Sequence, residues 1–281
     1  MNNVLTVDVE DWYHANGYRI PREDWAFCRQ RVEENTHRLL NILRQHQVLA
    51  TFFILGDVAQ QHPDLVRSIA AAGHEIGSHG GYHRMLPEMS LAEFRRDLRS
   101  SKEILEKLSG CPVRYFRAPS WSMTAEQYGA LGILWEEGFV CDSSIQPFHT
   151  PLSGIAGAPH TPFFPVIEGR AVPLLEFPPS VVRCKGVTIP FAGGFYLRAM
   201  PYRLIALGLK RVNRTHPGMV YVHPWELDDD QPDVASTWMI RQIHTYNRRT
   251  VAEKIHRLLD EFSFAPLGKV LAEREWPQRV L

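Results

Sequence analysis

The sequence predicts an α/β protein built as a distorted (β/α) barrel with an irregular C-terminal extension, and three features predict it. Short apolar runs of strand character alternate with amphipathic helical periods over the first half of the 281 residues, the pattern of a parallel sheet. These runs end in clusters of polar and ionisable residues, and repeated clusters at strand C-termini favour a barrel over an open sheet. After Gln146 the texture changes: nine prolines fall from Pro147 to Pro190, with several glycines and few helical periods. That stretch is expected to be irregular structure decorating the barrel. One domain over 1–281 is expected, with 146–215 as an insertion and 227–281 packed on the barrel as an extension.

The elements follow in order. Val4-Leu5-Thr6-Val7 is a buried strand that runs into Asp8-Val9-Glu10-Asp11-Trp12-Tyr13-His14. On extended chain Asp8 and Glu10 share a face and Asp11 takes the other, unless the strand turns first. Residues 32–46 carry a helical period with Val32, Leu39, Ile42 and Leu43 inward. Residues 49–55 suit a strand covered on both faces. Pro63 starts a helix with Leu65, Val66 and Ile69 inside and Gly73 as its stop.

His74-Glu75-Ile76 is a short strand that delivers His79 to its end. His79 and His83 can meet on one metal ion, across a helical turn or around a bend, and Gly80 and Gly81 favour the bend. Ser90-Leu91-Ala92-Glu93 is a capping box heading a long helix, with Leu91, Phe94, Leu98, Leu105 and Leu108 as its stripe and Gly110 as its end. Tyr115-Phe116 leads into Arg117-Ala118-Pro119-Ser120-Trp121, Thr124–Gln127 caps another helix, and Phe139-Val140-Cys141 ends at Asp142-Ser143-Ser144. Met219–Val222 is the last core strand and ends at His223-Pro224-Trp225-Glu226. Thr250–Glu253 caps a closing helix with Ile255, Leu258, Leu259 and Phe262 inside.

Composition narrows the partners. Lysine plus arginine equals aspartate plus glutamate at 31 each, so nothing suggests a nucleic-acid footprint or a polybasic membrane anchor. Four widely spaced cysteines without a C-x-x-C pair read as reduced core thiols. The opening residues lack a basic region followed by an apolar run, and no integral membrane segment is visible. A cytoplasmic protein is expected, or one peripheral to a membrane.

Each cluster has an ordinary role when taken alone. Asp8 and Arg117 could form a structural ion pair, His223 a turn, Trp121 part of the core, and Asp142 a cap through Ser143 or Ser144. In this order and spacing, over residues 1–145 and 215–226, they resemble the polysaccharide deacetylase family, the NodB-homology group of carbohydrate esterases. Asp8–Asp11 is similar to that family's first motif, His79–His83 to its second, Arg117–Trp121 to its third, Asp142 to its fourth and Val222-His223 to its fifth. The D-V-E-D-W opening and the tail after 146 resemble a branch linked to bacterial exopolysaccharide gene clusters.

The resemblance implies a NodB-type barrel, one divalent metal ion (zinc most often, with cobalt, nickel or manganese as alternatives) and removal of N-acetyl groups from sugars. It makes Asp8 the general base, His223 the general acid and Arg117 the residue that orients Asp8. His79 and His83 become metal ligands, and Trp121 a wall of the acetyl pocket, with Pro119, Asp142 and Trp225 beside the substrate. Two departures stand out. Asp8 is followed by Val9 where the family has a second aspartate, so the third ligand is Glu10 or Asp11; Glu10 is favoured because i and i+2 share a strand face. Gly80 stands where the family has serine or threonine, so the loop must be braced differently.

The expected activity is a metal-dependent N-deacetylase acting on N-acetylhexosamine units of a bacterial polysaccharide or its lipid-linked precursor. Trp12, Trp121 and Trp225 near the site favour sugar, whose rings stack on aromatic faces. The alternatives are a hydrolase of small cyclic amides or ureides, and a carbohydrate-binding relative without catalysis.

Overall fold

The computed structural model describes residues 1–150, 153–232, 234 and 236–281. Five strands come first: β1 Asn3–Val9, β2 Thr51–Ile54, β3 Glu75–Ser78, β4 Tyr115–Phe116 and β5 Cys141–Asp142. Later come β6 Phe164–Ile167, β7 Arg170–Ala171, β8 Leu175–Glu176, β9 Val181–Cys184, β10 Val187–Pro190, β11 Met219–Val222, β12 Phe264–Ala265 and β13 Gln278–Val280. The helices are α1 Val32–Gln45, α2 Gly56–Gln61, α3 Pro63–Ala71, α4 Leu91–Ser109 and α5 Gly129–Glu136. They continue with α6 Gly194–Ala199, α7 Tyr202–Val212, α8 Trp238–Thr245, α9 Val251–Glu261 and α10 Leu267–Ala272.

The main sheet runs β11-β1-β2-β3-β4-β5-β8 with every neighbour parallel, and β12 pairs with β1 beside it. It curls into a half-barrel. Its terminal strands β8 and β11 do not pair; instead the Met219 N–H donates to Ser180 Oγ at 2.7 Å across the opening. All of β1 is buried, because both sheet faces are covered. Leu5, Val7 and Val9 pack with helix residues such as Leu39 and Leu43, while Val4 joins Phe53, Cys141 and Tyr221 in a second cluster on the concave side. The polar groups Thr6 and Asp8 therefore share the concave face, where an interior cation can meet them.

Several expectations are met closely. The Ser90 hydroxyl and Glu93 carboxylate form a reciprocal cap, and Gly110 ends α4 in the left-handed region at φ 68°. Pro63 opens α3. Others need correction. Leu91, in the first turn of α4, is 48% exposed; the buried stripe is Phe94, Leu98, Ser101 and Leu105. Ser101 belongs there because its hydroxyl bonds Ser78 Oγ at 2.7 Å and lets the helix approach β3 closely.

The proline-rich stretch does more than decorate. It supplies β8 to the main sheet, in register with β5 through Cys141–Leu175 and Asp142–Glu176. A two-residue strand has no period to read in sequence. The cysteines also diverge from expectation: Cys141 is buried, but Cys111 and Cys184 are exposed and Cys28 is partly so. Thr124 and Thr250 precede helical segments without making the side-chain caps expected of them.

Candidate active site

The C-terminal ends of β1, β3, β4 and β11 deliver the polar clusters to one cleft. Asp8 is the last inward residue of β1, and Glu10 follows on the same side as the chain leaves the strand. Glu10 Oε2 lies 2.6 Å from His83 Nε2 and 3.9 Å from His79 Nε2. One donor atom from each of Glu10, His79 and His83 falls within 4.8 Å of the others, and all three residues are buried.

Asp11 is not part of this group. Its carboxylate accepts from the N–H groups of Trp12, Arg31 and Val32, the last two at 2.6 and 2.9 Å, and so joins the β1 exit to the head of α1. The chain turns after Glu10, so of the two acids it is Glu10 that lies beside the imidazoles.

The loop from His79 to His83 is a bend. Gly80 sits at φ 78° and His83 at φ 53°. The hydroxyl missing at position 80 is replaced by two neighbours: Gly80 N–H donates to Ser78 Oγ at 3.2 Å, and Gly81 N–H to Asp97 Oδ2 at 2.7 Å. A Cβ on Gly81 would stand 2.4 Å from Asp97 Oδ1, so a side chain there would displace that carboxylate.

The donor set suits a divalent ion. His79 Nδ1 lies 2.8 Å from the Arg117 carbonyl, so Nδ1 carries the proton and Nε2 offers its lone pair. Burial pushes the His79 imidazole down to about 4 against the opposing pull of Asp8, so it is neutral at pH 7. Glu10 Oε2 is buried and faces the two imidazole Nε2 atoms, while Oε1 accepts from Trp225 Nε1 at 3.0 Å. Burial raises the Glu10 carboxyl, but His83, His223 and His79 together bring it far below the usual carboxylate range. A carboxylate and two imidazoles form a three-ligand set of the kind that holds zinc or cobalt with coordination positions open.

Arg117 fills the barrel interior and has no exposure. Its Nη1 donates to Asp8 Oδ1 at 2.5 Å and Thr6 Oγ1 at 2.8 Å, and its Nη2 to Ser143 Oγ at 3.0 Å. Its guanidinium is sandwiched near the rings of Phe53 and Trp121, 4.3 and 4.2 Å from their centroids. Burial lowers the Arg117 pKa and the Asp8 charge opposes that change.

Across the cleft, His223 Nε2 is 3.9 Å from both Asp8 Oδ2 and Glu10 Oε1. Its Nδ1 is 3.0 Å from Glu226 Oε2. Burial lowers the His223 pKa, but Glu226, Glu10 and Asp8 outweigh it and raise the group to about 9.

The cleft is a cavity of about 160 Å³ walled by Asp8, Glu10, His79, His83, Trp121, His223 and Trp225. Gly194, Phe195 and Arg198 of α6 and Ile243 and His244 of α8 close its remaining side. Gly193 packs against the Tyr221 ring there, and a Cβ on it would lie 2.3 Å from Tyr221 Cδ1. A larger hollow of about 310 Å³ lies behind the histidine loop near Arg22 and Asp97, but none of the clustered acids or imidazoles opens onto it.

Three expected site residues lie elsewhere. Asp142 is buried outside the cleft, where it accepts from Ser144 Oγ and pairs in register with Glu176 of β8; burial holds both carboxyls above their usual range. Pro119 starts the short 3-10 turn that positions Trp121 and is not a cleft wall. Trp12 packs with Tyr13 and Trp225 in a small buried cluster outside the cavity. Other groups around the cleft lie outside the sequence motifs. Glu226 was legible as a carboxylate three positions after His223, but Arg198, Phe195 and His244 come from distant helices and carry no local signal.

Residues 23–130 match the sequence profile described as polysaccharide deacetylase, and residues 143–272 match a domain of unknown function, DUF3473. The chain carries a polysaccharide deacetylase domain over residues 23–130. It is 40% identical over 86 residues to a peptidoglycan-N-acetylglucosamine deacetylase of Bacillus cereus, a segment that is 31% of each chain. It is 37% identical over 102 residues to a chitin deacetylase of Colletotrichum lindemuthianum, covering 34% of this chain and 41% of that one. The chain thus spans about a third of the length of the curated relatives it matches.

Its fold is that of the same deacetylases. A Mycobacterium smegmatis protein whose crystal structure is described in the terms of a polysaccharide deacetylase aligns with a TM-score of 0.60 at 21% identity, over 100% of this chain and 95% of that one. A CE4 family pseudoenzyme from Bacillus anthracis aligns with a TM-score of 0.52 at 15% identity, over 99% of this chain and 67% of that one. The same fold thus carries a pseudoenzyme too, so function has to be argued from the site residues. Among the described residues, no helix is long and apolar enough to cross a membrane.

Proposed function

We propose that the chain is a metal-dependent N-deacetylase of N-acetylhexosamine units in a bacterial polysaccharide or its lipid-linked precursor, folded as a single domain over its length. The observation that carries this reading is the convergence of Glu10, His79 and His83 beside Asp8 and His223 in one cleft. Glu10, His79 and His83 hold the ion in this reading. Bound there, a divalent ion supplies Lewis acidity and lowers the pKa of water.

Asp8 is the general base: Arg117 fixes one of its oxygens, and the other faces the cleft to take a proton from water. His223 is the general acid, and its raised pKa keeps Nε2 protonated at pH 7 for transfer to the departing amine. The buried indole of Trp121 gives the acetyl methyl an apolar wall, and Trp225 holds Glu10 while facing the same cavity. A volume of about 160 Å³ suits an acetamido group with part of one sugar ring, the rest of the glycan lying outside.

The test is acetate release from N-acetylglucosamine oligomers by metal-stripped protein, before and after zinc or cobalt is restored, with Asp8→Asn alongside. Release that needs the ion and is lost in Asp8→Asn is expected. Absence of release at full metal occupancy would end the deacetylase reading.

A further inference from the structure

We propose that Glu226 and Arg198 form a positioning pair for the general acid, through which the C-terminal half of the chain completes the catalytic centre. The inference rests on the deacetylase reading above. His223 is held from two sides: Glu226 Oε2 meets its Nδ1 at 3.0 Å and accepts its backbone N–H at 3.0 Å, while the Trp225 ring stacks on it at 5.0 Å between centroids. With Nδ1 engaged, Nε2 is the atom left facing Asp8 and the cleft.

Glu226 is itself fixed. Arg198 Nε donates to its Oε1 at 2.7 Å, and the two side chains are 1% and 0% exposed. The remaining Arg198 donors reach the carbonyls of Ile243 and Tyr246, at 2.6 and 3.2 Å, at the end of α8. The Arg198 carbonyl is in turn held by Asn247 Nδ2 and Lys254 Nζ. Arg198 comes from α6 and lies within the 143–272 stretch that matches the domain of unknown function.

A buried ion pair contributes little to stability compared with apolar residues of the same volume. Its location, one hydrogen bond behind the acid, explains why it is built this way. Rotation of the imidazole about its Cβ–Cγ bond would take Nε2 out of the cleft, and the clamped carboxylate opposes that rotation.

The experiment compares two leaving groups. In amide hydrolysis the C–N bond breaks and the nitrogen takes a proton from His223 Nε2 as it leaves. In 4-nitrophenyl acetate the C–O bond breaks and the phenolate departs with its electron pair, needing no proton. Glu226→Gln is expected to lower kcat for N-acetylglucosamine oligomers roughly 100-fold with KM changed less than about threefold. Its ester hydrolysis should fall at least about tenfold less.

The double variant Arg198→Met/Glu226→Gln, which leaves no lone buried charge, should show the same split, and Arg198→Lys should recover part of the loss. Ring 15N shifts of His223 in metal-free protein give a readout independent of turnover, and the Nδ1 signal should move in Glu226→Gln. Equal losses on both substrates, or an unmoved Nδ1 signal, would overturn the positioning role. A wild-type protein that cleaves the ester and never the amide would instead overturn the deacetylase reading.

Discussion

The Nδ1 atom of His79 lies 2.8 Å from the backbone carbonyl of Arg117, the residue whose guanidinium holds Asp8. One residue at the end of β4 therefore fixes two groups at once. Its carbonyl sets the tautomer of a candidate metal ligand, and its side chain aims the candidate base. The His79 side and the Asp8 side of the cleft are mechanically joined there.

Arg117→Met should separate these roles. The carbonyl remains, so His79 keeps its tautomer, but Asp8 loses its buried counter-charge. Stranding one partner of a buried pair costs about 3–5 kcal/mol, so urea denaturation should show a loss of that order, and acetate release should fall below detection.

The two acids after β1 make opposite predictions. Glu10→Ala removes a donor from the cluster and should weaken zinc binding at least about 100-fold by calorimetry, the fold surviving. Asp11→Ala removes an N-terminal cap instead. It should cost roughly 1–2 kcal/mol of stability while zinc affinity changes little. Reversed results would move the ligand to Asp11.

Trp225→Phe keeps an aromatic ring on His223 but deletes the hydrogen bond to Glu10 Oε1. Losing an outer partner of a metal ligand typically costs 10- to 100-fold in affinity or activity, so zinc affinity should drop by about that factor. Unchanged affinity would mean that Glu10 is oriented by the imidazoles alone.

The Asp142–Glu176 pair should give the fold a specific pH dependence. Burial raises both carboxyls, Asp142 from 3.8 to about 6 and Glu176 well above its usual value. The folded state thus binds more protons than the unfolded chain above pH 4. The pair's contribution is complete below that pH and is lost as pH rises through about 6 and beyond, by up to ~1.4 kcal/mol per unit for each proton. Denaturation midpoints from pH 4 to 8 should show this fall, and Glu176→Gln, neutral at every pH, should flatten it.

How much the sequence disclosed can be judged residue by residue. The half-barrel's parallel strands were legible because β1 carries the apolar Val4-Leu5 and β2 the apolar Phe52-Phe53-Ile54, and α4 because Ser90, Glu93 and Gly110 are local start and stop signals. His79 and His83 were legible for the same reason: the glycines between them make the bend through their own backbone freedom. Glu10 shares a side with Asp8 by strand alternation alone. These are short-range properties, and they are written in consecutive residues.

Other features depended on what lies across the fold. Nothing near Asp142 reveals that Glu176 will come to lie beside it, since β8 is two residues long and becomes a strand only by pairing with β5. Nothing near Arg198 indicates that it will reach Glu226, because the two meet only when the chain entering α6 bridges β11 through Gly193 and Tyr221. Sequence alone therefore determined the barrel class and the pairing of His79 with His83 around a bend. The tertiary structure decided that Glu10 rather than Asp11 lies beside the histidines and that Glu226 and Arg198 hold His223 in place, because desolvation and hydrogen-bond geometry are set by neighbours distant in the chain.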